Sequence, residues 1–352
     1  MNWWDAYPGL RERVLAWLET VRCKDEPWGR YKYCRGMKRA WGLESSLQAI
    51  KILRVLDALN EVPAEARLEM GRFVCSLQDP ETGLVADPLA GESDRVSDHF
   101  PWEHIRGHAT GVAIQALPLL GVSLTRVPRA PDDPVAPGEV APWMAALPWD
   151  SNPWRCGTLI GQFLARHRTR TGLYDSDRED DIQSAAMDWL EARQDPRTGL
   201  WGTDRCPETA KAMAGLHCMS TGTYYLPGRP LPRPERVTES ILALQQPNGD
   251  FATGGGCLNY DAIQGLTSAA RYTTHRRREA VEAARRMVER IFGAYARSDG
   301  AFSFHAGRCM TTHNSLFVAE AAEESDVIGT HMYLIVLREH LNLVHALGCA
   351  PV

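Results

Sequence analysis

The sequence predicts an all-α protein: an (α/α)6 toroid of about twelve helices, built from helix-pair repeats and occupying residues 1–352 as one domain. Three observations predict it. Apolar residues recur three and four apart through most of the chain, whereas the strict alternation of a half-buried strand is hard to find. One turn phrase returns at a spacing that fits two helices and two loops. No linker divides the 352 residues, and a hydrophobic fraction of 44% beside 24% charged residues supplies material for a large core.

In chain order, the periodicity predicts helices over Gly9–Val21, Leu43–Leu59, Ala64–Leu77, His104–Leu120, a short one near Trp143, then Pro153–Ala165, Asp181–Ala192, Glu208–Thr221, Val237–Leu244, Tyr260–Ala270, Arg277–Ala294 and Val327–Ala346. The eleventh shows the logic. Ala280, Val281, Ala284, Val288 and Ile291 form an apolar stripe, and Glu282, Arg285, Arg286 and Glu289 lie opposite, so one face packs inward.

The turn phrase reads Leu77-Gln78-Asp79-Pro80-Glu81-Thr82-Gly83-Leu84 and again Arg193-Gln194-Asp195-Pro196-Arg197-Thr198-Gly199-Leu200-Trp201. It recurs as Gln245-Gln246-Pro247-Asn248-Gly249-Asp250-Phe251, more loosely as Arg297-Ser298-Asp299-Gly300-Ala301-Phe302, and faintly as Thr171-Gly172-Leu173-Tyr174. Pro with Asp or Asn stops the helix, Gly takes a positive φ, and the aromatic or Leu returns to the core. Gly199, Gly249 and Gly300 are about fifty residues apart, so one repeat is one helix pair. The phrase is expected to be structural punctuation with no chemistry of its own.

These Gln-x-x-x-x-Gly-aromatic phrases resemble the repeats of squalene cyclases and protein prenyltransferase β subunits. The resemblance is scattered over most of the chain and implies the toroidal architecture, with an isoprenoid-processing activity as an alternative function. The chain departs from both families' chemistry. In place of the cyclases' Asp-x-Asp-Asp acid motif it has Asp177-Arg178-Glu179-Asp180-Asp181, which reads as an acidic helix start. In place of the prenyltransferases' Asp-x-Cys zinc pair it has Gly256-Cys257-Leu258-Asn259-Tyr260-Asp261.

A formal net charge of -5 offers no broad basic surface, so nucleic acid is not an expected partner; Arg276, Arg277 and Arg278 read as a solvated face. No stretch approaches a membrane span, and Met1 to Ala16 lacks the pattern of a secretory signal. Nine scattered cysteines without a CxxC pair read as free thiols, and a cytoplasmic location is expected.

The residues that carry chemistry follow the turn phrases, where the loops opening the inner helices of a toroid converge on its cavity. Four clusters fall there: Asp98-His99 with Trp102, Glu103, His104, Arg106 and His108; Trp149 and Asp150 with Asn152, Trp154 and Arg155; Cys257 with Asn259, Tyr260 and Asp261; and His305 with Arg308, Cys309, His313 and Asn314. Asp261, His305, His313, Glu103 and His104 are the acid–base candidates, with Asp261, His305 and His313 expected to converge. Trp102, Arg106, His108, Asn152, Trp154, Arg155, Asn259, Tyr260, Arg308 and Asn314 are the substrate-binding candidates, because Trp stacks on sugar rings and Arg grips carboxylate or sulfate bidentately. No cofactor is expected. A zinc site of Cys257, His305, Cys309 and His313 is the alternative, with the last three on one helix face. His217-Cys218 reads as buried helix surface.

This set suits a carbohydrate-active enzyme, a lyase or glycosidase, whose partner is an anionic oligosaccharide or small molecule. Elimination needs a base beside a uronate carboxylate, a cation on that carboxylate and an acid for the leaving oxygen; hydrolysis needs two flanking carboxylates. A binding toroid without catalysis is the third alternative.

Overall fold

The computed structural model describes residues 2–97, 100–172, 179–225, 229–320 and 322–346. Asp98, His99, Leu173, Tyr174, Asp177, Arg178 and Cys349 lie outside the described residues. Among the described residues there are twelve α-helices: α1 Leu10–Val21, α2 Leu43–Val55, α3 Ala64–Ser76, α4 Trp102–Ala116, α5 Pro137–Ala145, α6 Pro153–Thr171, α7 Asp181–Arg193, α8 Thr209–Ser220, α9 Pro234–Leu242, α10 Gly256–Ala270, α11 Arg277–Arg290 and α12 Val327–Ala346. Among these residues the sheet content is one hairpin, β1 Thr312–His313 paired antiparallel with β2 Leu316–Phe317.

Several helices begin or end a few residues from their predicted bounds, and two of the differences bear on the polar residues. α6 continues past Ala165 to Thr171 because its polar end is buried in pairs: Arg166 grips Asp133 at 2.5 and 2.9 Å, and His167 Nε2 meets Asp180 at 2.6 Å. α10 begins at Gly256, before Tyr260, so Cys257, Asn259, Tyr260 and Asp261 are helical. In α11 the buried stripe is Ala280, Ala283, Ala284 and Met287; Val281 and Val288 sit at its half-buried margin.

The chain divides into two compact units, Met1–Ala130 with Arg290–Arg338, and Pro131–Glu289 with Glu339–Val352. In the first unit α2 is buried without a break from Leu43 to Ile50, whereas its neighbour α1 buries one stripe of Leu10, Val14, Trp17, Leu18 and Val21. In the second unit α6 and α8 are enclosed, and α7 and α9 bury one face each. Enclosed and one-faced helices thus alternate along the chain, as paired layers require. α6 and α8 meet backbone to backbone: a Cβ at Gly157 would lie 2.1 Å from the Gly215 carbonyl oxygen, and one at Gly161 would lie 2.2 Å from that of Cys218.

The turn phrase works as a clasp. Gln78 Nε2 donates to the Gly83 and Arg126 carbonyls at 2.8 and 2.9 Å, and Gln194 Nε2 donates to Gly199 and Pro232, both at 2.8 Å. Gln245 Nε2 does the same to Gly249 and Ala283 at 3.1 and 2.8 Å. Each phrase glycine has a positive φ, 68° at Gly83, 67° at Gly199, 94° at Gly249 and 111° at Gly300, where a side chain would be strained. Asp180, from the acidic run, caps α7 by accepting a hydrogen bond from the Gln183 amide at 3.0 Å.

Candidate active site

The most polar convergence in the first unit is centred on Glu44, in the first turn of α2, where the helix end favours an anion. Leu43, one residue earlier, donates its amide to Asp87 at 2.9 Å, which fixes the helix start. α4 packs against α2 and brings His108 Nδ1 to 3.0 Å from Glu44 Oε1. The hairpin brings His313 Nδ1 to 2.9 Å from Glu44 Oε2. Its two-residue tip, Asn314 and Ser315, has φ of 48° and 66°, the left-handed pair that matches strand twist. Ser315 Oγ accepts hydrogen bonds from Ser97 Oγ at 2.9 Å and from the Phe100 amide at 3.1 Å, so the tip is tied down. Tyr33 completes the group, its hydroxyl 3.0 Å from His313 Nδ1.

A small cavity of about 20 Å3, open in part to solvent, lies over this group. Glu44, Tyr33 and His313 meet Asp87, Trp102, Arg106, Asn314 and Arg39 along its wall. Arg39 Nη2 donates to the Phe317 carbonyl, while its Nη1 is buried without a hydrogen-bond partner. Arg106 is held by Asp79 at 3.1 Å and Thr82 at 3.2 Å, which ties the wall to the first turn phrase.

Burial alone would raise the Glu44 carboxyl, but the charges of His108 and His313, with the His108 hydrogen bond, outweigh it and hold that carboxyl well below its usual range. Burial opposes charge on His108, and Glu44 overcomes this, raising it. Burial, with the charges of Glu44 and Asp87, pushes the Tyr33 phenol well up. Burial also raises Asp87, against the amides of Leu43 and Leu89 that favour its anion.

The second unit holds a different cluster. Asp261 on α10 is 3% exposed, its Oδ1 lies 3.7 Å from His217 Nε2, and its Oδ2 has no hydrogen-bond partner. His217 Nδ1 is 3.1 Å from the Tyr225 hydroxyl, and its ring meets that of Tyr260 edge-on at 4.6 Å. Burial pushes the Asp261 carboxyl well above its ordinary value, and burial, with Asp261 nearby, raises Cys218 to about 12 and pushes Cys257 well up.

Of the residues singled out from sequence, Trp102, Arg106, His108, His313 and Asn314 are brought together in the first unit; Tyr260 and Asp261 share the second cluster. The remainder have other partners. Glu103 is exposed in the first turn of α4, and His104 is buried with its ring stacked 4.4 Å from Phe100. Asn152 caps α6 by accepting from the Arg155 amide, and Trp154 and Arg155 are half-buried on that helix. Asn259 is a strut, accepting from the Phe251 amide at 2.8 Å and donating to Asp250 at 3.0 Å. His305 packs against Phe304, its charged form disfavoured by burial and by Arg308, which is exposed. Of the zinc set of Cys257, His305, Cys309 and His313, the last three do not share a helix face. Residues 305 to 313 form turns and β1 where a helix was needed, and Cys309 instead stands with Cys34 and Glu324.

Glu44, Tyr33, Asp87 and Arg39 were not anticipated, and His217 is more than helix surface. Glu44 has the appearance of an ordinary first-turn acid. The available signal was the polar run of Glu44, Ser45, Ser46 and Gln48 interleaved with Leu43, Leu47, Ala49 and Ile50.

No protein-family model matches the chain, and no curated protein matches it in sequence. Among solved structures, a variant of the type II terpene cyclase MstE from Scytonema, in complex with its substrate geranylgeranyl dihydroxybenzoate, is similar at 12% identity, covering 98% of this chain and 99% of that one with a TM-score of 0.50. A GH76 α-mannanase from Bacteroides thetaiotaomicron is similar at 11% identity, covering 98% and 97%, with a TM-score of 0.46. The twelve helices and the cyclase likeness establish the class: an all-α, (α/α)6 toroid fold. Among the described residues no helix is long and apolar enough to cross a membrane.

Proposed function

We propose that the chain is an enzyme acting on an anionic saccharide in the first-unit cavity, with elimination next to a uronate carboxylate as the reaction. One observation carries this reading: a cavity wall that combines Arg39, whose Nη1 is unpaired, with Tyr33, Asp87, Trp102, Glu44 and His313. Arg39 binds the carboxylate of the sugar, and Trp102 supports a ring face. Asp87 still has free lone pairs beside its two amide contacts and takes the proton next to that carboxylate. Tyr33 gives a proton to the leaving oxygen. Arg39 also meets the negative charge that builds up on the carboxylate between these steps.

The test is incubation of the purified protein with uronate-containing oligosaccharides while following the ultraviolet absorbance of the conjugated double bond. Absorbance that rises with wild type and is at least about 100-fold slower with Tyr33→Phe, an acid–base-sized loss, is the expected result. New reducing ends without absorbance would replace elimination by hydrolysis, and no turnover of any uronate would remove the reading.

A second reading, an isoprenoid cyclase, is favoured by Asp261. A buried carboxylic acid with an unpaired oxygen among His217, Tyr225 and Tyr260 is suited to protonating an alkene. Cyclised product from a polyprene, abolished in Asp261→Asn, would establish it in place of the first.

A further inference from the structure

We infer that Glu44, His108 and His313 form a binding site for one divalent transition metal ion, zinc by ligand type, with its open coordination position facing the cavity. The three ligand atoms come from three separate elements, α2, α4 and β1, and lie within 4.8 Å of one another. Both histidines present the same ring nitrogen, Nδ1, to the same carboxylate, at 3.0 and 2.9 Å. A tetrahedral ion with bonds of roughly 2.0–2.2 Å holds its ligand atoms roughly 3.3 Å apart, a spacing between the two nitrogen–oxygen distances here and the 4.8 Å that bounds the group.

A second observation concerns Glu44 itself. The residue is 6% exposed, and its Oε2, although close to His313 Nδ1, is not aligned with it as a hydrogen bond and has no other partner. A buried carboxylate oxygen with no hydrogen bond is costly, and a metal bond would satisfy it. The two imidazole rings stand at 81° with centroids 5.4 Å apart, so neither blocks the other's approach to a common point.

Two nitrogens and one carboxylate suit zinc and its transition-metal neighbours; calcium and magnesium prefer all-oxygen shells. Three protein ligands with an open fourth position is the arrangement of zinc sites that do chemistry, and His313 and Glu44 both border the cavity. The ion's role rests on the first-unit cavity being the active site, where it would supply the positive charge that meets the sugar carboxylate. Its binding does not rest on that reading.

The experiment uses the full chain, stripped with chelator and reloaded with zinc or cobalt without substrate. Expected are one equivalent of zinc by elemental analysis and the visible absorption of four- or five-coordinate cobalt. Both should be lost in His108→Ala with His313→Ala, and zinc affinity should fall by about 100-fold or more in Glu44→Gln, with circular dichroism confirming helical content in each. Cobalt retaining its six-coordinate aqueous spectrum, or equal zinc in the double variant, would overturn the proposal. So would a thiolate charge-transfer band abolished by Cys34→Ser and Cys309→Ser, which would assign the ion to the buried Cys34, Cys309 and Glu324 group. Metal binding without uronate elimination would leave the site standing and remove only the function.

Discussion

Glu44 and Asp261 are both carboxylates on enclosed helices, both almost inaccessible to solvent and both beside histidine, yet they are held in opposite states. Glu44 has two imidazole nitrogens at 3.0 and 2.9 Å, and their charge outweighs the burial. Asp261 has one at 3.7 Å, outside hydrogen-bond reach, on a ring whose other nitrogen is occupied by Tyr225, and burial wins. The number of partners and a few tenths of an ångström decide whether a buried carboxyl is an anion or an acid.

The largest expected effect follows from removing the better-paired anion. Glu44→Ala leaves two half-buried imidazoles without their counter-charge and should lower unfolding free energy by about 1.5–3 kcal/mol in urea titrations. A variant as stable as the wild type would mean that Glu44 is not the organiser of the first cluster.

Asp261→Asn should do the reverse. A carboxyl raised by folding contributes stability that is fully present below the unfolded value, about 3.9, and is lost as pH rises through the folded value. Wild type should therefore lose up to about 1.4 kcal/mol per pH unit relative to Asp261→Asn as pH rises above the unfolded value, the slope for one proton. Parallel stability curves for the two proteins would show that Asp261 is ionised and erase the contrast.

Smaller changes sharpen the comparison. Tyr225→Phe removes one hydrogen bond to His217 and should cost about 1 kcal/mol in thermal or chemical unfolding. Arg39→Ala removes a contact to the Phe317 carbonyl and should change stability by about 0.5 kcal/mol, while calorimetry shows uronate binding weakened by about tenfold or more. Full binding in that variant would move the anion site elsewhere.

Much of the fold was legible because it is periodic. The turn phrases, the apolar stripes and the positive-φ glycines are local signals, and they located the helices and their pairing. The end of α6 was not legible, since buried pairs such as Arg166 with Asp133 look polar one residue at a time. The site was legible in half. His108 and His313 stood out as histidines after turn phrases, whereas Glu44, which joins them, looked like a routine helix-start acid. Tyr33 lies in a segment with no period at all. What brings these residues together is packing between stretches 64 to 280 residues apart, and nothing local encodes it.

The glutamine clasp has a consequence for cooperativity. One amide satisfies the carbonyl of its own turn and another carbonyl some forty residues onward, at Arg126, Pro232 or Ala283. When one such turn opens, its successor loses a hydrogen-bond donor that water must replace, so the free energy of opening is shared between neighbours along the chain. In nearest-neighbour terms the clasp is a coupling constant. Amide exchange in successive helix pairs should rise together, and a single Gln194→Ala should loosen the segment around Pro232 as much as its own turn.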